Sequence, residues 1–429
     1  MKNKTYVLKN AVILDGTENM QPVTGKKLLI ENGIIADILP DDADTGSAEV
    51  IDLNGKYLVP GLINLHVHLP GSGMPKHTKK QNAESVRRLM SFAPSRAVVY
   101  SLCRGFAKTE LLSGVTTIRT VGGLRDIDGR IRDAINSGRT EGPRMLVSNM
   151  AVSVPGGHMA GVLAYEAESV ADCEKYVRLI AKDSPDLIKL MITGGVLDAK
   201  KRGEPGELKM SPELVKACCD TAHDLGYKVA AHVESPAGLK AALYGGVDTI
   251  EHGAQPDDET MAEFLKSGAA HVCTISPAIP CALFDREISG ASETVQFNSR
   301  VVLDGVIACA KAALKNGVPV GLGTDTACPY VTHYDMWREL AYFVKYVGVD
   351  NAFALHTATC INARIAGIEA ETGTVEVGKS ADLLICEGDP LRDISVLRNP
   401  SAVVMRGRYI DAPRVKKYPN VEKELDKYL

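Results

Sequence analysis

The amino-acid sequence predicts an α/β fold, in which a (β/α)₈ TIM-like barrel carries a small β-sandwich built from both ends of the chain. Three observations predict this fold. The chain has 429 residues, a length that suits a barrel of roughly 300 residues and a smaller unit. Eight short apolar runs alternate with segments of helical period through its middle. The two ends differ from the middle, because their patterns predict short strands and turns without helices between them.

The two ends are rich in predicted β-structure. Residues 11–16, 27–40 and 48–61 carry alternating or β-branched apolar side chains that end in Gly, Pro, Asn or Asp. The same texture returns near the C-terminus in TGTVEVGKSADLLICEGDP and AVVMRGRYI. The predicted strands at each end need a second sheet against which to bury their apolar side chains. We therefore predict that residues 1–60 and 370–429 form one discontinuous β-sandwich domain.

Residues 61–369 have the pattern of a parallel barrel. Their apolar runs are separated by helical segments such as 211–226, 236–246 and 299–317. Alternating strands and helices imply a parallel sheet, and eight such units favour a closed barrel over an open sheet. The eight predicted strands span residues 61–68, 114–122, 143–154, 187–195, 228–235, 249–254, 271–276 and 320–325.

Charge, hydropathy and cysteine spacing limit the partners and the compartment. The net charge is −4 and no basic stripe is present, which argues against binding to nucleic acid. No run approaches the roughly 20 apolar residues of a membrane helix, so no membrane partner is expected. The ten cysteines form no C-x-x-C pair, which indicates free thiols in a reducing cytoplasm. The expected partner is a small-molecule substrate.

Side chains that ligate metals end several of the predicted strands, where the active sites of barrels form. The two-residue spacing in His66-Val67-His68 places both imidazoles on one side of a strand. The full set is His66 and His68 on the first strand, Lys189 on the fourth, His232 on the fifth, His252 on the sixth and Asp325 on the eighth.

Each of these residues alone has another interpretation. A single histidine at a strand end is commonly structural, Asp325 can cap a helix or form a turn, and Lys189 can reach outward to solvent. Together the six favour a metal site, because imidazole nitrogens and carboxylate oxygens suit Zn²⁺ and similar ions. We expect two divalent metal ions. Zinc is favoured, although Mn²⁺, Co²⁺ and Fe²⁺ accept the same donors.

Lys189 lies in an apolar strand, where a lysine without a partner is disfavoured. An ammonium group there would be repelled by two divalent cations. Reaction of the neutral amine with CO₂ would give a carbamate, which is anionic and offers one oxygen to each metal. The alternative is a salt bridge from Lys189 to an acid at the rim, such as Glu234.

Along nearly its whole length the chain resembles the amidohydrolase superfamily. The resemblance rests on DLNGKYLVPGLINLHVH, IKLMITGG, VAAHVES, DTIEHGA, GLGTD and TGTVEVGKSADLLICEGDPL. The chain is similar to the prolidase-like and carboxypeptidase-like branch, often labelled imidazolonepropionase-like. The lysine of IKLMITGG favours its two-metal members. Two positions depart from the pattern: Asn64 stands where many members have Asp, and Val233-Glu234-Ser235 stands where close relatives often read Ala-His-Gly.

The resemblance implies a ligand set and a mechanism. His66, His68 and Asp325 would hold the more buried metal, and His232 and His252 the more exposed one. Carboxylated Lys189 and a hydroxide would bridge the two metals. The metal-bridging hydroxide would attack an amide carbonyl, with Asp325 as general base and then general acid. The expected substrate is a dipeptide or an N-acyl amino acid, and relatives suggest a homo-oligomer.

Three further residues are candidates from their place in the loops. His158 follows the third strand, so we predict that it binds substrate or helps to polarise the carbonyl; a surface histidine is the alternative. Tyr330 and His333 follow the eighth strand and are predicted to contact substrate. The same centre also suits esters, lactones or phosphotriesters, because specificity lies in loops. A non-catalytic binding relative is a third reading, against which retention of all six metal positions argues.

Overall fold

The computed structural model describes residues 5–75 and 83–429, and all eight predicted parallel strands are present within these ranges. The third strand is broken into two pieces. We number the strands one to eight in chain order. Their bounds are Leu62–Val67, Val115–Thr120, Arg144–Val147 with Ala151–Ser153, Leu187–Met191, Lys228–Val233, Thr249–His252, Ala270–Cys273 and Val320–Leu322.

The strand pairing fits a closed barrel with two seams. Strands one, two and the first piece of three pair in parallel, and so do the second piece of three and strands four to eight. Strand eight meets strand one where the Asp325 amide donates to the His66 carbonyl at 2.8 Å. Gly323 permits this approach, since a Cβ there would lie 2.4 Å from His66 Cβ. An edge strand, Ala164–Glu166, pairs with the second piece of strand three.

Local capping residues mark where the helices after the strands begin. The helices after strands four and five begin alike, with Ser211 or Ser235 as N-cap and a proline at the first helical position. Both lie where the sequence predicts helices, and the predicted helix 299–317 is part of a longer one. The α-helices are Ala83–Ser91, Ala93–Leu112, Ile127–Asn136, Val170–Ala181, Pro212–Asp224, Pro236–Gly245, Asp258–Ser267, Ala278–Leu283, Arg286–Ser289, Glu293–Asn316, Met336–Tyr342, Asn351–His356, Asn362–Ala366 and Pro419–Leu425.

The structure also contains short π-helical and 3₁₀ segments. The π-helical turns Phe343–Val347 and Thr357–Ile361 continue the helices that follow strand eight. The 3₁₀ turns are Val196–Asp198, Ile394–Arg398 and Asp426–Tyr428. Among the helices in the described ranges, none has the length and apolarity needed to cross a membrane.

The strands from the two ends of the chain form two further sheets. The first has the order Ile34–Pro40, Lys26–Glu31, Tyr6–Lys9, Glu49–Asp52. The second has the order Arg408–Asp411, Ala402–Met405, Leu383–Cys386, Tyr57–Pro60, Val12–Ile13. Buried side chains of both sheets, such as Leu8, Ile30, Leu58, Ile385 and Val404, share one hydrophobic cluster. The division into a separate sandwich domain and a barrel domain stays a prediction.

Candidate metal centre

A cavity of about 670 Å³ lies at the carboxyl ends of the parallel strands. Its position agrees with the end of a barrel at which active sites form. It collects residues from all eight parallel strands or the segments after them. All six predicted metal residues and the predicted His158 line it: His66, His68, His158, Lys189, His232, His252 and Asp325.

The tightest group of donors comes from strands one and eight. Asp325 Oδ1 lies 3.4 Å from His66 Nε2 and 3.3 Å from His68 Nε2. One ligand atom from each of these three residues falls within 4.8 Å of the others. Two imidazole nitrogens and a carboxylate oxygen at this spacing can hold one divalent metal ion.

Two further histidines lie beside this group. The ring centroids of His232 and His252 are 4.6 Å apart, and those of His66 and His252 are 4.8 Å apart. His252 itself has a φ of 66°, and Asp325 has a φ of 56°. Left-handed backbone at residues other than glycine costs about 1–3 kcal/mol each and is concentrated at functional sites. The fold therefore accepts local strain to place two of the predicted ligands.

Lys189 provides the clearest test of whether the residues fit the predicted metals and carbamate. Its side chain is 1% exposed, and Nζ has no hydrogen-bond partner in the described part of the chain. The alternative salt bridge to Glu234 therefore does not form, and Glu234 Oε2 also lacks a hydrogen-bond partner in the described residues. Burial lowers the pKa of Lys189 to about 8. A buried ammonium without a partner is costly, so an amine that becomes a metal-bound carbamate fits this position.

His232 gives the second orphaned atom of the site. Its Nε2 is buried without a hydrogen-bond partner in residues 5–75 and 83–429. Native proteins satisfy nearly all buried polar groups, and an exception commonly marks an ion or a functional group. Together with Lys189, this atom indicates that the donor set fits a metal centre.

The other predicted histidine ligands are oriented by hydrogen bonds at their second ring nitrogens. His66 Nδ1 donates to Glu251 Oε2 at 2.7 Å, and His68 Nδ1 donates to the Gly122 carbonyl at 2.9 Å. His252 Nδ1 lies 2.7 Å from Thr274 Oγ1. Such contacts fix the tautomer and leave Nε2 available for a metal.

Glu251 and Arg119 form a buried pair behind His66 that the sequence did not identify. Arg119 Nη2 donates to Glu251 Oε1 at 2.7 Å, and Arg119 Nε donates to the Leu65 carbonyl at 2.8 Å. Burial alone would raise the pKa of Glu251, but the charge of Arg119 and the hydrogen bond from His66 hold this pKa below its ordinary value. The available signal was a charged residue inside each of two apolar strands, at positions 119 and 251.

We expect Glu251→Gln to lower the free energy of unfolding by about 3 kcal/mol, since Arg119 would keep a buried charge without its partner. Urea denaturation of the metal-free protein measures this loss. Asp220→Asn is the control, because Asp220 pairs with Lys216 on the surface and should contribute less than about 1 kcal/mol. Equal losses in both variants would show that the buried pair is unimportant for stability.

Asp325 lies in a strongly polar environment. Burial would raise the pKa of this carboxyl, but the neighbouring His66 and a hydrogen bond with His68 hold the pKa well below its usual range. The carboxylate is therefore ionised, as a metal ligand must be. Its second oxygen, Oδ2, accepts a hydrogen bond from Cys328 Sγ at 3.4 Å.

Of the three candidate residues in loops, His158 lines the cavity, whereas the other two do not. His158 lies in the cavity wall, where its ring stacks on His232 with centroids 4.3 Å apart and its Nδ1 donates to Asp198 Oδ2 at 2.6 Å. Tyr330 and His333 are not among the residues that line the cavity. Tyr330 donates its hydroxyl to the Ile288 carbonyl, and His333 Nε2 lies 2.7 Å from the Gly71 carbonyl. Their predicted contact with substrate stays a prediction.

The remaining wall of the cavity is largely apolar. The helices after strand one contribute Val86, Leu89, Val99, Leu102 and Phe106, and the opposite wall includes Ala278, Val302 and Val306. Among the described residues that line the cavity, Lys189 is the only lysine or arginine. Apolar walls around a few converging polar groups are typical of small-molecule sites.

Glu234 is the second acid of the cavity wall. It follows His232 by two residues at the end of strand five, and the Val196 amide donates a hydrogen bond to its carboxylate. Burial, and secondarily the charge of Asp325, raise the pKa of Glu234 to about 8. The sequence pattern marks Glu234 as a departure from the family and offers it only as the alternative salt-bridge partner of Lys189.

Comparison with known proteins gives concordant matches. The profile of the amidohydrolase family matches residues 57–410. Ochratoxinase of Aspergillus niger is 26% identical over 422 residues, which cover 89% of this chain and 82% of ochratoxinase. A candidate prolidase from Bifidobacterium longum superposes with a TM-score of 0.87 at 33% identity, covering 99% of this chain and 98% of its own. A Xaa-Pro dipeptidase with bound methionine superposes with a TM-score of 0.83 at 30% identity, covering 95% and 100%.

Proposed function

Because the chain belongs to the amidohydrolase family, we propose that it is a metal-dependent hydrolase that cleaves the amide bond of a dipeptide or an N-acyl amino acid. One observation carries the proposal: four histidines, Lys189 and Asp325 converge on one cavity at the strand ends. The similarity to a candidate prolidase and to a Xaa-Pro dipeptidase supports a substrate with a peptide bond. The largely apolar walls suit a substrate with apolar side chains.

Two divalent ions, with zinc favoured, would be held by residues already in place. His66, His68 and Asp325 would bind one ion, and His232 and His252 the other. A CO₂-derived carbamate on Lys189 would serve both. When bound, the ions would lower the pKa of a water and polarise the substrate carbonyl.

Side chains of the protein would accept and donate the protons of the reaction. Asp325 would take the proton of the attacking water and pass it to the leaving amine, which is the general base and general acid role. Its Oδ1 faces the two histidines of strand one, while Cys328 holds Oδ2. His158 is held by Asp198 against His232 and would orient the substrate carbonyl.

A substrate panel tests the proposed function. Protein loaded with zinc should release amino acids from dipeptides or N-acyl amino acids with apolar side chains. Parallel assays use aryl esters, a lactone and a phosphotriester at matched concentrations. Higher kcat/KM for any amide than for every ester and phosphotriester supports the proposal. The reverse order would assign the site to ester or phosphotriester hydrolysis, and no turnover of any compound would favour a binding protein.

Protein purified without chelator should contain close to two divalent metals per chain, because the cavity supplies two groups of ligands. Elemental analysis measures the content. The double variant His232→Asn/His252→Asn should retain about one metal, whereas His223→Asn should retain both, since His223 is exposed and pairs with Asp248. A content of one metal in the wild type, unchanged by the double variant, would contradict the binuclear centre.

A further inference from the structure

We propose that Glu234 recognises the free α-ammonium group on the acyl side of the scissile bond. The preferred substrates are then unblocked dipeptides and not N-acyl amino acids. This inference rests on the proposed amide hydrolysis and narrows its substrate class. It depends on the position of one carboxylate and on the charges around it.

Glu234 is fixed beside the metal ligands. It lies two residues after His232, and this spacing brings side chains to the same side of an extended chain. Its backbone amide donates to Thr193 Oγ1 at 3.1 Å, and the Val196 amide donates to its carboxylate. The loop above it packs closely, because a Cβ on Gly206 would lie 2.5 Å from the Glu234 carbonyl oxygen. The carboxylate therefore has a defined position in the cavity wall.

One oxygen of this carboxylate lacks a donor. Glu234 Oε2 is buried, and no atom in the described ranges donates a hydrogen bond to it. Leaving a buried acceptor unsatisfied costs about 1–3 kcal/mol, and more when the group is charged. Since Glu234 lines the cavity, a donor carried by the substrate would remove this cost.

The surrounding charges determine what kind of donor fits. Asp198 acts on Glu234 as a neighbouring negative charge. No described residue lining the cavity supplies a compensating cation to Glu234, because Lys189 makes no hydrogen bond to it. A cationic donor is attracted to this wall, whereas a substrate carboxylate would be repelled from it. An ammonium group both donates hydrogen bonds and carries a positive charge.

In a dipeptide, an α-ammonium group lies close to the scissile carbonyl. The α-ammonium of the acyl residue is bonded to the Cα that adjoins the scissile carbonyl. A carbonyl at the metal ligands His232 and Asp325 therefore brings the ammonium next to this side of the site. An N-acyl amino acid has an alkyl group there and leaves Glu234 Oε2 unsatisfied. A substrate ammonium beside Glu234 favours the ionised carboxylate, so the two substrate classes differ by a charge-assisted hydrogen bond.

The test uses two amides that differ only in the ammonium group: phenylalanyl-alanine and 3-phenylpropanoyl-alanine, both of which release alanine. The wild type should show a kcat/KM roughly 10–100-fold higher for the dipeptide, as expected for one buried hydrogen bond to a charged group. Glu234→Gln should lose most of this preference, measured as the ratio of its kcat/KM values for the two amides. Its metal content should equal that of the wild type. Glu207→Gln is the control, since Glu207 lies in the loop after strand four, is exposed and pairs with Lys209.

Equal kcat/KM of the wild type for the two amides would overturn the inference, as would an undiminished preference in Glu234→Gln. Loss of metal from Glu234→Gln would also overturn it, because Glu234 would then be a ligand. If neither amide is hydrolysed, the proposed function fails, and calorimetric binding of the same two compounds still decides the inference. Tighter binding of the dipeptide that disappears in Glu234→Gln supports it; equal binding to the wild type overturns it.

Discussion

Asp325→Asn should abolish amide hydrolysis while most of the fold remains. The carboxylate lies 3.3–3.4 Å from the Nε2 atoms of His66 and His68, where it would both hold a metal and transfer the proton. Loss of a general acid and base costs at least ~10²–10⁴-fold in rate, and weaker metal binding would add to this. Steady-state kinetics on a dipeptide measures the loss.

Two controls separate catalysis from stability in this variant. Circular dichroism and urea denaturation should show a native spectrum and a cooperative transition. Asp220→Asn should keep full activity, because Asp220 lies on the surface and pairs with Lys216. Turnover of Asp325→Asn within a few-fold of the wild type would remove Asp325 from the mechanism.

Lys189→Ala should lose metal and activity together. Lys189 Nζ is buried without a partner in the described residues, and its neighbours are the predicted ligands of both metals. Without the carbamate, both ions would lose an anionic bridging group. Metal analysis and kinetics on the same preparation should show parallel losses. A short carboxylic acid with excess metal should restore part of the activity by filling the vacated space.

Lys209→Ala provides the matched control for this lysine. Lys209 lies in the loop after strand four and pairs with Glu207, outside the set of residues that line the cavity. This variant should retain metal and activity, and a carboxylic acid should not change its rate. A crystal structure of the wild type with both metals bound should show three extra non-hydrogen atoms on Lys189 Nζ. An unmodified Lys189 in that structure would exclude the carbamate.

The parallel strands were predictable because their signal is local. Each is a short apolar run bounded by turn residues, and the run in LIKLM matches strand four. The break in strand three was not predictable, since residues 143–154 read as one continuous run. It occurs at Asn149, which has a φ of 55° and whose Oδ1 accepts a hydrogen bond from the Gly129 amide at 3.0 Å. This contact comes from a helix that the local sequence does not contain.

The loop after strand eight shows a second limit of sequence interpretation. Tyr330 and His333 follow Asp325 closely, which favours a place in the cavity. Ala327 and Tyr330 instead have φ values of 76° and 69°, and the chain reverses so that both predicted side chains bond to carbonyl groups in the interior. Loop conformation depends on contacts made by distant segments, so nearness to Asp325 in the sequence does not decide which groups these two side chains contact.

The sequence by itself determined the alternation of strands and helices and the order of the ligands along the chain. Apolar periodicity and strand-end position are properties of neighbouring residues, so His66, His68, Lys189, His232 and the other predicted ligands could be read from it. Only the tertiary structure decided which atoms meet. It placed Glu251 and Arg119 behind His66, and among the described residues it gave Glu234 Oε2 no donor. These relations join strands up to 185 residues apart, and hydrogen bonding at that separation depends on how the barrel closes.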